Sequence, residues 1–406
     1  MKPMSNIQSK LITQAQAELS TLQELRRELH QIPEFGITLP KTLQRVIDEV
    51  KDLGELKVDH EISCATLLIN GEKPGPVVLL RADMDALAVH EETGLPFAST
   101  NGYMHACGHD LHIAMGVGAA RLIHANKAEL AGSVLIWFQS GEEGHGGADM
   151  MIDRNMHLAH NELPIAAYGL HVFSGMTKGV FFSKPGPLMA SAGDALVTFK
   201  GKGGHGSMPW SSRDPISVMA ESITAIQTMV AKRFSPFDPV IVNVGWVKAG
   251  DDHTTNVTPE IAKFGATVRT FSDKNFDDVR VQIRRTVEGI AAAFDIEVEV
   301  EFTPSSLVVV NTPAETALAQ ELAVEGFGKD RWMTLDAPIT GGEDFASVLK
   351  VIPGAFIFLG ACAPGIDFMD AEINHSNKAI FDDSVLGDGA AMLASLAFEA
   401  LTRASA

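Results

Sequence analysis

The strongest constraint on this chain is a rhythm. Short, uninterrupted apolar runs, PVVLLRAD (76–83), SVLIWFQS (133–140) and AAYGLHVF (166–173), alternate with helical stretches such as DLHIAMGVGAARLIHA (110–125). A strand that is apolar on both sides needs both faces covered, so such runs between helices read as buried parallel strands of an α/β sheet. Apolar residues at helical spacing (Leu11, Ala15, Leu19, Leu22, Leu25, Leu29) predict that the chain opens with a helix.

Between about 186 and 303 the rhythm changes. DALVTFKGKG reads as a strand, DPISVMAESITAIQTMVAK as a helix, and DPVIVNVGWV and EIAKFGATVRTF as two successive strands. NFDDVRVQIRRTVEGIAAAF is a helix, and DIEVEVEF alternates apolar and acidic residues as a half-buried strand does. The order is β-α-β-β-α-β, the split ferredoxin-like arrangement. GGEDFASVLK (341–350), GAFIFLGA (354–361) and a closing helix then restore the first pattern. The expected architecture is an α/β domain with a mixed, mostly parallel sheet, built from residues 1–186 and 304–406 and interrupted by a ferredoxin-like domain at 187–303.

At 406 residues the chain is long enough for two domains. Its formal charge of −19 argues against nucleic acid or an anionic membrane as the main partner. No apolar run is expected to span a bilayer, and the first twenty residues lack the apolar core of a signal peptide. Three cysteines, at 64, 107 and 362, form no disulfide framework and fit a reducing compartment, with the cytoplasm as the default.

The chemistry-bearing residues fall where open α/β sheets place sites, beyond the carboxyl ends of strands. ADMD follows VVLLR, GEEGHGG follows SVLIWFQS, His171 closes AAYGLH, HACGHD precedes a helix, and NHS (374–376) follows the last strand. Singly, each has a plainer reading. A lone histidine at a strand end is usually a hydrogen-bonded core or surface residue. Asp83 and Asp85 read as turn residues and Asp110 as a helix N-cap, while Cys64 and Cys362 sit in apolar contexts. Their coincidence on one rim argues for a metal site. Cys107 and His109, one residue apart, can face one ion, and the pair Glu142–Glu143 suits metal-assisted hydrolysis. One carboxylate holds metal and its neighbour takes a proton from the attacking water. Thiolate, imidazole and carboxylate donors suit zinc or a related divalent ion. A rival scheme, Cys107 as a nucleophile activated by His105 and His109, leaves Glu142, Glu143, His171 and His375 without a purpose.

At these residues the sequence resembles the dinuclear metallo-amidohydrolases related to carboxypeptidase G and aminoacylase, in the branch of hippurate hydrolases and auxin-conjugate hydrolases. The likeness runs through RRELHQIPEFG (26–36), RADMDAL (81–87), EETGLPFAS (91–99), HACGHD (105–110), GEEGHGGADMMI (141–152), GLHV (169–172), GKGGHGSMP (201–209), VRTF (268–271), GGEDFA (341–346) and NHS. The resemblance implies a metallo-exopeptidase-like catalytic domain with two divalent ions per subunit, zinc or manganese with nickel or cobalt as alternatives. Cys107 would bridge them, and His109, Glu143, His171 and His375 would complete the sites. Glu142 would be the general base and Asp85 would orient a ligand. The inserted domain would be a lid that makes a homodimer or tetramer. From it His205 would stabilise the oxyanion, in its own or a partner's site, while Arg269, Asn256 and the Gly341–Gly342 turn would bind substrate. The chain departs from the family pattern at Ala88, Ser140–Gly141, Trp210 and the segment around Ser191, none of them a proposed ligand.

The leading expectation is therefore hydrolysis of the amide bond of small N-acyl amino acids (acetyl, benzoyl or related) to a carboxylate and a free amino acid. The nearest alternative is a dipeptidase or aminopeptidase on the same metal pair, which would need an acid such as Asp85, Glu91 or Glu92 for a free amino group. A different class, a metal-binding or interaction protein that has kept the fold without catalysis, would be favoured only if the base were missing.

Overall fold

The computed structural model describes residues 6–303 and 306–405. Residues cluster into two compact units. The larger takes in Met1–Leu188, Val309–Ala337 and Asp344–Ala406; the smaller takes in Met189–Val308 and Pro338–Glu343. The short return segment Pro338–Glu343, which carries Gly341 and Gly342, goes with the smaller unit for local reasons. Ala190 N–H donates to Ile339 C=O, and Gly342 packs so closely on Ala192 that a Cβ there would lie 2.5 Å from the alanine's own.

The larger unit is built on an eight-stranded sheet. Its order is Glu55–Asp59, Cys64–Asn70, Ala131–Gln139, Lys73–Asp83, Ala166–Phe173, Gly354–Gly360, Phe181–Ser183 and Trp332–Thr334. The four middle strands, from Ala131–Gln139 to Gly354–Gly360, are mutually parallel, and Cys64–Asn70 and Phe181–Ser183 flank them antiparallel. Those four carry the apolar runs, which are buried because helices cover both faces. Being parallel, they end on one rim, with Asp83, Gln139, Phe173 and Gly360 as last residues.

Two expectations change here. The opening helix is two, Asn6–Ala17 and Leu19–His30, which meet at Glu18 with no proline or glycine to mark the break. Residues Asp383–Ala404 at the C-terminus are long and apolar enough to cross a membrane, with mean hydropathy 1.3. That stretch is 83% buried inside the protein, where it packs on the helix His109–Ala125 and the sheet, so it is a core helix.

The smaller unit is a four-stranded antiparallel sheet in the order Val240–Ala249, Ile261–Thr270, Ser191–Lys200, Glu297–Phe302. Alternate residues (Ala195, Val197, Phe199) point into a core shared with the helices Pro215–Arg233 and Asp273–Ala293. Asp214 and Ser272 cap the two helices by accepting backbone N–H bonds.

Candidate metal centre

The rim begins at Asp85. Its carboxylate accepts the backbone N–H groups of Glu142 (Oδ1, 3.0 Å) and Glu143 (Oδ2, 3.0 Å), pinning the turn after one strand to the turn after its neighbour. Its main-chain carbonyl accepts from Nδ1 of His109 at 2.8 Å, while the carboxylate stays 3.7 Å away. The backbone of Asp85 thus orients His109 and its carboxylate shapes the Glu142–Glu143 turn. With Nδ1 protonated, His109 presents the Nε2 lone pair to the site.

The loop HACG delivers the next donors. Gly108 has φ +84°, and a Cβ there would lie 2.4 Å from Val172 Cγ2, so only glycine lets the chain turn into the helix His109–Ala125. Cys107 and His109 are thereby held on the two sides of a tight turn. His171, at the end of its strand, donates from Nδ1 to the Val172 carbonyl at 2.9 Å and aims Nε2 at Cys107 Sγ, 3.4 Å away. His375 brings its Nε2 to 3.3 Å from the same sulfur and 3.1 Å from Glu143 Oε1. It does so from a left-handed backbone, φ 72°, anchored by its N–H on Ala106 C=O; a non-glycine residue held there marks a constrained position.

Two triads of donor atoms result, Cys107–His109–His171 and Cys107–Glu143–His375, which share the thiol. Two observations test whether they suit a metal ion. Donors about 2.0–2.3 Å from a tetrahedral ion stand about 3.5 Å from one another, and the sulfur-to-nitrogen distances here are 3.3 and 3.4 Å. Moreover, His109 Nε2 is buried without a hydrogen-bonding partner and lies 3.9 Å from Glu143 Oε1, which His375 Nε2 also approaches at 3.1 Å. A buried, unpartnered imidazole lone pair facing a carboxylate is costly unless a cation lies between them. The donor set fits divalent metal.

Electrostatics separate the histidines. Burial and the neighbouring His112 push His171 well below its ordinary pKa, so it stays neutral and able to ligate. Burial also opposes charge on His109, but Asp83 and Asp85 outweigh it and hold its pKa well above the usual value. His375 is raised to about 10 by its hydrogen bonds to Cys107 and Glu143. Glu143 is lowered, its burial overcome by His375 and His109. Positive histidines held against an acid and a thiol are what a metal-ligand cluster becomes when protons take the cation's place.

Beneath these donors lies a layer that the sequence did not single out. Asp83 is fully buried and held ionised, its burial outweighed by Arg81, His109 and His112. It pairs with Arg81 at 2.6 Å and accepts from Nδ1 of His112 at 2.5 Å. His112 Nε2 in turn accepts the Val172 N–H at 2.9 Å, tying the helix to the strand end beside His171. The signal was available in principle, since His109 and His112, three apart, share one helix face. Asp110 is not the N-cap; Gly108 is. Its carboxylate instead meets Arg26 Nε at 2.6 Å and His30 Nδ1 at 2.8 Å, and His30 Nε2 lies 3.2 Å from Glu91. The motifs at 26–36 and 91–99 therefore converge on one buried charge cluster under the metal-ligand loop. Cys64 and Cys362 are buried, and burial lifts the Cys64 thiol to about 12.

In the smaller unit, His205 and Asn256 lie together: the strand Gly204–His205 pairs with Val257–Thr258, and Gly206 N–H donates to Asn256 C=O. His205 is exposed, and its Nδ1 accepts from the backbone N–H of Ser207 at 3.2 Å. Arg269 and the Gly341–Gly342 turn flank Ala192 instead, Arg269 as its register partner and Gly342 in contact with it. Eight residue steps along the strand separate that end of the sheet from the Ile261–Lys200 pair beside the His205 hairpin, a span of about 26 Å.

Residues 79–399 match the description of peptidase family M20/M25/M40. Thermostable carboxypeptidase 1 of Saccharolobus solfataricus is 33% identical over 381 residues, 92% of this chain and 94% of its own length. The N-acetyl-L-cysteine deacetylase of Bacillus subtilis is 36% identical over 349 residues, 84% of this chain and 82% of its own. Among solved structures, the YXEP protein of Bacillus subtilis, a dinuclear metal binding peptidase from the M20 family, superposes with a TM-score of 0.79 at 31% identity and covers 95% of this chain and 99% of its own. The family match over residues 79–399 and relatives more than 30% identical along most of the chain show that this protein belongs to peptidase family M20/M25/M40 and is a metal-dependent amidohydrolase.

Proposed function

We propose that the enzyme hydrolyses the amide bond of small N-acyl amino acids, releasing a carboxylic acid and a free amino acid. The observation that carries this reading is the pair of donor triads sharing Cys107, with Glu142 on the same braced turn as Glu143. Cys107, His109, Glu143, His171 and His375 would hold two divalent ions, zinc or manganese. When bound, the ions polarise the acyl carbonyl and make water acidic enough to be activated near neutral pH. Glu142 takes the proton from the attacking water and returns it to the leaving nitrogen. Asp85 keeps the two glutamates in register by accepting both of their N–H groups. Names given to relatives, N-acetyl-L-cysteine deacetylase and N-acetyldiaminopimelate deacetylase, support an N-acyl amino acid as substrate.

In this reading the smaller unit is the lid, with Arg269 gripping the substrate carboxylate in a bidentate pair and the N–H groups of Gly341 and Gly342 assisting. His205 and Asn256 stabilise the oxyanion. A span of about 26 Å is too long for a small substrate to bridge, which favours His205 and Asn256 acting from a second copy in a dimer. Three unbridged cysteines fit the cytoplasm.

Glu142→Gln tests the assignment. It keeps the shape of the turn and removes the base, so turnover of N-acyl amino acids should fall by about 10²–10⁴ with metal content unchanged. Retained turnover would remove Glu142 from its role; lost metal would mean that Glu142 is itself a ligand.

A further inference from the structure

One polar side chain beside the donor atoms has no part in the proposed chemistry. Asn374 comes immediately before His375, and its amide reaches two other donor-bearing segments. Its Nδ2 donates to Val172 C=O at 2.9 Å, the carbonyl that also takes the Nδ1 hydrogen of His171. The same nitrogen lies 3.2 Å from Cys107 C=O and 3.8 Å from Cys107 Sγ, so a second hydrogen is shared between the main chain and the sulfur of that residue. On its other side, Oδ1 accepts the Ser174 backbone N–H at 3.0 Å and the Ser174 hydroxyl at 3.1 Å. One half-buried amide thus ties together the segments that carry Cys107, His171 and His375.

The sulfur shows what the contact is for. Nε2 of His171, Nε2 of His375 and Nδ2 of Asn374 stand 3.4, 3.3 and 3.8 Å from Cys107 Sγ. The two imidazole nitrogens carry lone pairs and would turn to the ions. An amide nitrogen offers only hydrogens, so Asn374 stays a donor whether metal is bound or not. A thiolate has three lone pairs, and a sulfur that bridges two cations uses two of them. Left bare in a buried site, the third would be costly, and an N–H aimed at it stabilises the anion.

We propose that Asn374 is a positioning residue for the dinuclear centre: it holds the three donor segments in register and hydrogen-bonds the bridging thiolate. The assignment rests on the metal-ligand reading above. It has two consequences. A terminal ligand serves one ion and a bridge serves both, so losing Asn374 should weaken both ions together. Losing an N–H donor also raises the energy of the sulfur lone pairs, so a sulfur-to-metal charge-transfer band should move to longer wavelength.

The test is titration of the metal-free full chain with cobalt(II), reading both binding and the near-ultraviolet thiolate-to-cobalt band. Asn374→Ala removes the whole amide. Asn374→Asp, of the same size, keeps the oxygen that accepts from Ser174 and puts an acceptor where the donor was; it decides the matter if Asn374→Ala does not fold. We expect each variant to bind both cobalt equivalents about 10–100-fold more weakly than wild type, with the band at saturating cobalt shifted to longer wavelength. Ser174→Ala, which loosens the anchor and leaves Nδ2 in place, should keep the band where it is. A band unmoved by Asn374→Asp would overturn the proposal and leave Asn374 as an anchor for the chain before His375. Weakening confined to one equivalent would overturn it too, as would a shift in Ser174→Ala, which would trace the band to chain position and not to the donor. Wild-type protein that takes up fewer than two equivalents, shows no such band, or has a band that survives Cys107→Ser would overturn the ligand assignment itself, and the role of Asn374 with it.

Discussion

The metal rim and the His205 hairpin are both expected to touch the reaction, yet they are built in opposite ways. On the rim, His109, His171, Cys107 and Asp85 are buried, and each makes a hydrogen bond or close polar contact that fixes the direction of its reactive atom. On the hairpin, His205 is exposed, on a strand of two residues, and its Nδ1 is occupied by Ser207 next door. Preorganisation is needed where charge must be held at a fixed place throughout turnover, and a rigid bed supplies it. A group that meets the substrate only after binding can afford a loose mount. The difference predicts that rim mutations damage metal and rate together, while hairpin mutations damage rate alone.

The widest gap should come from His171→Ala. Losing a ligand should remove close to one metal equivalent, read by elemental analysis, and lower kcat/KM by on the order of a thousandfold. Full metal occupancy in that variant would break the comparison at its strongest point. His205→Ala should lower kcat by about 10²–10³, the usual cost of a lost oxyanion donor. Its metal content and thermal midpoint should stay at wild-type values, and a drop in either would show the hairpin to be structurally coupled after all. Asp85→Ala should fall between them. It frees the N–H groups of Glu142 and Glu143 while the main-chain carbonyl still holds His109, so metal affinity measured by competition with a chelating dye should weaken about 10–100-fold, with a matching loss in kcat.

What could be read in the sequence divides along similar lines. His109 and His171 stood out because one opens a helix and the other lies near the end of a strand, and the period of the apolar runs locates those ends. Asp83 and His112 did not, since a buried aspartate under a metal site looks like a turn residue until its partners Arg81 and His112 are seen. Asp110 was legible as a helix-start residue and misleading for that reason. Its partners Arg26 and His30 arrive from a helix far away in sequence, while the cap position itself is glycine because Val172 leaves no room for a side chain. The return of Pro338–Glu343 to the smaller unit was equally hidden, because it depends on pairing with Ala190 and contact with Ala192 and no local pattern announces it. Local periodicity records elements; it does not record which distant segment answers a buried charge.

The buried cluster under the ligand loop gives the smallest and sharpest test of whether partners, rather than burial alone, make the rim rigid. Burial works against a charged His30, but the facing carboxylates of Asp110 and Glu91 outweigh both burial and the opposing Arg26, and the pKa of His30 is raised. A group with a raised folded pKa contributes stability that is fully present below its unfolded value, about 6.5 for histidine, and that is lost as pH climbs through the folded value. His30→Gln removes this charge and keeps a hydrogen-bonding side chain of similar length. The difference in thermal midpoint between wild type and His30→Gln, followed from pH 6 upward, should therefore be largest at the acid end and shrink as pH rises. A difference that stays level across the range would mean that His30 is neutral in the fold and stabilises only by packing. In that case the Arg26–Asp110 pair holds the loop without a charge on His30, and pairing under the rim is carried by the guanidinium.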